Sequence, residues 1–149
     1  MTRACLLTIG DELVDGRVLD SNSQWLAGQM TEAGFVVTAH LSEGDGMAEI
    51  LSALDYAAQR ADLVLVTGGL GPTEDDRTRE ALARWSGQEL VANAEAWESI
   101  RDYFEARGLA LAGANERQAL LPARATLLPN RVGTAPGFAR DRRLDAGRT

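Results

Sequence analysis

The chain has 149 residues, 45% hydrophobic and 25% charged, with a formal net charge of −7. That size fits one domain with a core of its own, and the acidic balance speaks against a nucleic-acid partner, which calls for a basic face. No apolar run approaches the ~18 residues that span a membrane, and the first nine residues are too short for the hydrophobic region of a signal peptide. The expectation is therefore a cytoplasmic protein with no membrane partner.

All 15 basic residues are arginine. Without lysine, a Walker-A loop and Schiff-base chemistry are excluded. His40 is the single histidine, so a His-rich zinc site and a conventional Ser-His-Asp triad are disfavoured. It lies in an extended apolar stretch and reads as structural. Cys5, the single cysteine, reads as a small buried hydrophobe. Carboxylates, hydroxyls, arginines and a hard metal ion remain for chemistry.

Arg3 to Ile9 reads as a buried strand ended by Gly10, with Gly10–Leu13 as a loop at its carboxyl end. Ser21-Asn22-Ser23-Gln24 has capping-box spacing and opens a helix that Gly34 stops. Phe35 to Leu41 follows as a strand and Ser42–Gly46 as a turn. Ile50, Leu51, Leu54, Ala57 and Ala58 form the stripe of a helix running to Arg60. Leu63 to Val66 is continuously apolar, the pattern of a parallel strand buried on both faces. A glycine loop and a helix over Arg77–Trp85 come next. Asn93 caps a further helix to Arg107, whose Trp97, Ile100 and Phe104 form a core stripe. Asn115 to Leu121 reads as a short helix stopped by Pro122, Ala125 to Leu128 as a short strand, and Gly133 to Phe138 as irregular. Strands alternating with helices imply an α/β sandwich around a mostly parallel sheet.

Ligands of such sheets bind beyond the carboxyl ends of the strands. The loops expected there are Gly10–Leu13, Ser42–Gly46 and Thr67–Asp76, and all three combine glycine with acids. The third, Thr67-Gly68-Gly69-Leu70-Gly71-Pro72-Thr73-Glu74-Asp75-Asp76, is longer than an ordinary strand-to-helix turn. Its glycines let backbone N–H groups approach an oxyanion, and a helix start follows. Acids beside a phosphate cradle would repel the phosphate unless a divalent metal lies between them. The plain alternative is a tight turn whose Asp75 or Asp76 caps the helix. Arg77 and Arg79 face either a phosphate or solvent. Composition does not say whether the Gly133–Gly137 loop touches a ligand.

These stretches resemble the CinA family, specifically its N-terminal domain of the MoaB/Mog molybdopterin-binding fold. The blocks are Gly10-Asp11-Glu12-Leu13, Asp20-Ser21-Asn22 before Trp25-Leu26-Ala27, Gly44-Asp45, Thr67 to Thr78, Gln118-Ala119-Leu120-Leu121-Pro122, and Asn130 to Phe138. The resemblance implies a three-layer αβα sandwich with a mostly parallel central sheet. It also implies a metal-dependent ADP-ribose pyrophosphatase, with Mg²⁺, Co²⁺ or Mn²⁺ as cofactor. By the same resemblance Asp45 and Asp76 are the metal-binding and catalytic residues. Gly68, Gly69, Gly71, Thr73 and Thr78 match the phosphate loop, and Gly10, Asp11, Glu12 and Asn22 match the other side of the pocket. Gly133 and Thr134 join the substrate-binding set. No nicotinamide-nucleotide deamidase domain is expected in this chain.

After Phe138 the family continues through a strand, whereas Ala139 to Thr149 carries four arginines and one large apolar residue. The expectation is a domain over residues 1–138, incomplete at its C-terminal end, with a disordered tail over 139–149. Exposed sheet edge would then favour a homo-oligomer, dimer or trimer. Three functions stand in order: a nucleotide pyrophosphatase acting on ADP-ribose-like substrates, a molybdopterin-binding or adenylyltransferase-type domain, and a non-catalytic nucleotide- or pterin-binding remnant.

Overall fold

The computed structural model describes residues 1–141; the expected tail falls largely outside the described residues. Contacts divide the chain into two compact units, Met1–Gly69 and Leu70–Thr149.

The first unit runs β1 (Arg3–Ile9), α1 (Asp11–Val14), α2 (Ser21–Glu32), β2 (Val36–Glu43), α3 (Met47–Arg60) and β3 (Leu63–Thr67). Its three strands are parallel in the order β2-β1-β3. β1 is central, and Ala4 to Ile9 are all buried. Leu6 sits between His40 on one side and Leu65 on the other.

Helices cover both faces of this sheet. Cys5 and Thr8 are an odd number of residues apart and so point to opposite faces. Cys5 packs against Ala57 of α3 and Ala61 just beyond its end, where burial pushes its thiol pKa up. The Thr8 hydroxyl donates to the Asp20 carboxylate at 2.9 Å, at the start of α2. The chain steps from β1 to β2 in one direction and returns across β1 to reach β3, so right-handed crossovers put α2 and α3 on opposite sides. The αβα layering expected from the sequence is present here.

Several details differ from expectation: Gly10–Leu13, read as a loop, leads into the short helix α1 (Asp11–Val14), and β2 continues through Ser42 and Glu43, read as part of a turn. The strand buried on both faces is β1; β3 is half-buried throughout because it lies at the margin of the sheet. His40 is exposed, since β2 is the other margin and alternates exposed with half-buried residues. The cap of α2 is Asp20, whose carboxylate accepts the Ser23 amide at 2.9 Å, rather than the Ser21–Gln24 box. Asp20 wins because the same carboxylate also reaches Thr8 on the sheet. Burial alone would raise the Asp20 carboxyl, but the Ser23 amide and the Thr8 hydroxyl hold it below its ordinary value.

β1 and β3 end side by side, and the chain leaves them toward different helices. This is the switch point at which open parallel sheets hold ligands. Gly68 closes the end of β3 there with φ +89°, and a Cβ on it would lie 2.0 Å from the Ile9 carbonyl oxygen. Only a residue without a side chain lets the two strand ends approach this closely.

The second unit contains α4 (Thr78–Trp85), β4 (Leu90–Ala92), α5 (Ala94–Glu105), a 3-10 helix (Gly113–Ala119), β5 (Leu120–Pro122), β6 (Thr126–Leu128) and β7 (Gly137–Ala139). β4 pairs antiparallel with β5, and β6 with β7. Asn93 caps α5 as expected, accepting the Ala96 amide at 2.9 Å. Ile100 is buried with Trp97 and Phe104 packed beside it, so the aromatic stripe is core.

Two expectations are corrected in this unit. The segment read as a helix to Leu121 becomes a 3-10 turn that hands over to β5, where Leu120 and Leu121 pair with Ala92 and Val91. The end of the Gly133–Phe138 stretch is the strand β7, with Phe138 opposite Leu127. Strands of three residues are too short to show a period, so only their pairing defines them.

Gly68→Ala is expected to destabilise the protein by about 2–5 kcal/mol, from the left-handed backbone and the overpacked carbonyl together. Gly16→Ala, also at positive φ but with nothing within 4 Å, should cost only about 1–2 kcal/mol. Urea unfolding of the two variants separates close approach from backbone strain. For Asp20 the depressed carboxyl contributes stability above the unfolded value near ~3.9, and that stability is lost as pH falls through the folded value. Asp20→Asn should therefore flatten the acid limb of stability below about pH 4, read from urea midpoints between pH 7 and pH 2.

Candidate functional site

In the first unit, Asp11 and Asp45 meet beyond the carboxyl end of the sheet. The Asp45 amide donates to Asp11 Oδ1 at 3.0 Å, and the Asp11 amide approaches Asp45 Oδ2 at 3.4 Å. The contact joins the start of α1 to the turn after β2, 34 residues apart. Gly44 permits it, because a Cβ there would lie 2.5 Å from Asp11 Oδ1. Gly10 is buried, its amide donates to the Glu43 carbonyl at 2.9 Å, and the Glu12 carboxylate folds back over it. Asn22 is exposed in the first turn of α2. Gly68 is exposed and Gly69 half-buried at the end of β3.

In the second unit, the loop Leu70–Asp76 is held by opposite charges acting on opposite backbone groups. Asp76 Oδ2 accepts from the Thr73 amide at 2.9 Å and from the Thr73 hydroxyl at 2.5 Å. A Cβ on Gly71 would lie 2.5 Å from that same oxygen. Burial alone would raise the Asp76 carboxyl; the Thr73 hydroxyl and amide, the Gly71 amide and the charge of Arg79 outweigh it and hold it below its ordinary value. The Thr73 and Gly71 amides of this loop are turned toward the protein's own Asp76 carboxylate.

Arg79 grips the other side of the loop. Its guanidinium donates to the Leu70 carbonyl and, at 2.6 Å, to the Gly71 carbonyl. The residue is 3% exposed, so its place is neither solvent nor an open phosphate site. Burial pulls its pKa down, Asp76 opposes this, and the like charge of Arg117 adds to it. Thr78 is also buried, at the start of α4. Arg77 sits at the cap position and reaches the Glu74 carbonyl at 3.4 Å.

The Gly133–Thr134 loop is stapled from within the same unit. Asn130 accepts the Val132 and Gly133 amides at 3.0 and 3.1 Å and donates to the Ala135 carbonyl at 2.9 Å. Behind it, the buried Gln118 donates to Thr134 Oγ1 at 3.1 Å. The buried polar roles of Asn115 and Gln118 and the anchoring role of Arg79 are not legible in the sequence. The signal available was a polar pair three apart, Asn115 and Gln118, next to an apolar strand.

Among the described residues no group of three or more His, Cys, Asp or Glu side chains is placed to hold a metal ion. Within the first unit, the Asp11–Asp45 contact offers two carboxylates, and Mg²⁺ sites take one or two of these and are completed by water and substrate phosphates; in the second unit Asp76 offers another carboxylate by itself. Among the described residues no helix is long and apolar enough to cross a membrane.

Residues 5–147 match a family model described as a probable molybdopterin binding domain. The solved structure of a CinA protein of unknown function from Thermoplasma acidophilum aligns at TM-score 0.83 and 33% identity, over 92% of this chain and 80% of that one. The chain belongs to the molybdopterin-binding domain family, among its CinA-like members. A CinA-like protein of Geobacter sulfurreducens is 52% identical over 132 residues, covering 89% of this chain and 32% of the relative. This CinA-like domain thus spans about a third of the length of the first curated relatives it matches. MoaB of Thermus thermophilus, a molybdopterin biosynthesis enzyme, aligns at TM-score 0.53 and 27% identity, over 85% of this chain and 74% of that one.

Arg79→Ala should cost about 1.5–3 kcal/mol through its charge-assisted bonds to two carbonyls. Arg79→Lys should recover only part of this, since an ammonium cannot fork between two acceptors as a planar guanidinium does. Amide hydrogen exchange at Gly71 and Thr73 checks the mechanism: their protection should fall in both variants more than that of the α5 amides.

Proposed function

We propose that this CinA-like domain binds the diphosphate of an ADP-ribose-like nucleotide and hydrolyses it. The single observation that carries the reading is the carboxylate seated in the Gly71–Thr73 nest. It supports the idea that these amides accept an oxyanion, and a phosphate oxygen presents the same chemistry. Gly68, Gly69, Gly71 and Thr73 are proposed to hold the non-reacting phosphate through backbone amides and the Thr73 hydroxyl. Thr78, buried at the helix start, is proposed to serve that loop from behind. Gly10, Asp11, Glu12, Asn22, Gly133 and Thr134 are proposed to line the substrate.

Asp45 and Asp76 are proposed as the carboxylates that serve a divalent cation, Mg²⁺, Co²⁺ or Mn²⁺. When bound, such an ion supplies charge neutralisation and Lewis acidity at the phosphates. The chain's own contribution is placement. The reciprocal Asp11–Asp45 contact fixes one carboxylate pair, and the Thr73 donors fix Asp76. In the overall reaction, the oxygen of water bonds to one phosphorus, the bridging P–O bond breaks, and two monophosphates leave, the two protons of water being shared between these products and solvent.

The family description favours a second reading, a domain that binds molybdopterin, for which adenylylation of the pterin is the reaction we would propose. One incubation discriminates. With ADP-ribose and a panel of divalent ions, hydrolysis should yield AMP and ribose 5-phosphate. With ATP and pterin, the second reading calls for an adenylylated pterin instead. Binding of ADP-ribose or pterin with no product in either mixture identifies a non-catalytic remnant. Asp45→Asn and Asp76→Asn should each lower hydrolysis by about 100-fold or more, with circular dichroism unchanged. Metal-dependent turnover that persists at the original rate in both variants would reject the assignment.

A further inference from the structure

A row of hydrogen bonds in the second unit has a fixed direction. The Ala112 amide donates to Asn115 Oδ1 at 3.1 Å. A backbone N–H can only donate, so it settles which end of the Asn115 amide is oxygen. Asn115 Nδ2 must then donate to Gln118 Oε1, at 3.0 Å, and Gln118 Nε2 must donate to Thr134 Oγ1, at 3.1 Å. Asn115 is 7% exposed and Gln118 1%. Water is therefore poorly placed to supply alternative partners, and a reversed amide would face donor against donor. Each orientation is dictated by the one before it.

The row ends on a hydroxyl that has already been used as an acceptor. Thr134 Oγ1 receives from Gln118, so its own proton is turned away from the buried side chains. It lies on a half-buried loop that Asn130 holds in place. Among the described residues that proton meets no acceptor.

We propose that Asn115 and Gln118 are positioning residues that make the Thr134 hydroxyl a dedicated hydrogen-bond donor to a phosphate oxygen of the ligand. Without them, the hydroxyl would be free to rotate and to present a lone pair, which an oxyanion repels. The inference rests on the diphosphate-binding reading and adds to it the residues that set the polarity of one contact.

The test uses binding of inorganic pyrophosphate with Mg²⁺, measured by calorimetry at pH 8 and pH 5. Gln118→Glu keeps the shape but replaces the donor by an acceptor, so the Thr134 proton turns inward. Asn115→Asp should do the same from one residue farther back. Its carboxylate can only accept, which reverses the Gln118 amide and points Oε1 at Thr134. Both should weaken binding at pH 8 by about 10- to 100-fold, as should Thr134→Val, the range for a hydrogen bond to a charged group. Thr134→Ser should bind as wild type does. Adding Gln118→Glu to Thr134→Val should cause no further loss.

Lowering the pH provides the readout that a purely structural role would not move. A protonated glutamic acid again donates to Thr134, so Gln118→Glu should regain affinity relative to wild type at pH 5. If one variant fails to fold, the other carries the same expectation. Full wild-type affinity of the folded Gln118→Glu or Asn115→Asp protein at pH 8, or additive losses in the double variant, would overturn the relay alone. Absence of any pyrophosphate binding by the wild-type chain would overturn the diphosphate reading and the relay with it.

Discussion

A carboxylate packed against a backbone that has no side chain in the way is the contact on which the candidate site depends. Asp11 lies over Gly44, Glu12 over Gly10, and Asp76 over Gly71. In each case a Cβ would occupy the space the carboxylate fills. Within each loop the arrangement fixes the shape and sets amide dipoles close to negative charge. Asp11 and Asp76 both end on amides, at Asp45 and Thr73. Asp11 and Asp76, which looked like a repulsive surround for a phosphate, are themselves anions that the protein's amides hold.

The second unit shows how such a loop is kept rigid without a tight regular turn. Asp76 takes up N–H groups and Arg79 takes up carbonyls from one short stretch of chain. A peptide backbone offers donors on one side and acceptors on the other, so a pair of opposite charges can grip both. Arg79 accepts the cost of burial because its bonds are charge-assisted and because Asp76 opposes the loss of its proton. The absence of lysine fits this use: a planar, permanently charged fork suits two neighbouring carbonyls better than an ammonium does.

The first unit supplies the frame. β1 is buried along its length, and residues one face apart on it reach α3 through Cys5 and α2 through Thr8. Asp20 joins the helix cap to the sheet, so the start of α2 is fixed by the same strand that precedes the Gly10 loop. The CinA-like relative of known structure matches across both units at TM-score 0.83. The family membership therefore concerns most of the chain, while chemistry remains a property of the few side chains at the loops.

The linear chain determined the alternation of strands and helices, the cap at Asn93, the core stripe of α5 and the acid-and-glycine content of three loops. These follow from local periodicity, from side chains that bond the next turn of backbone, and from residue chemistry, all confined to short windows. Tertiary structure decided which strand is central, that His40 faces outward, and that Leu120–Pro122 pairs with β4 instead of ending a helix. It also decided that Arg79 is an internal anchor and that Gln118 stands behind Thr134. Strand order, burial and hydrogen-bond direction depend on groups far apart along the chain, and no local pattern carries that information.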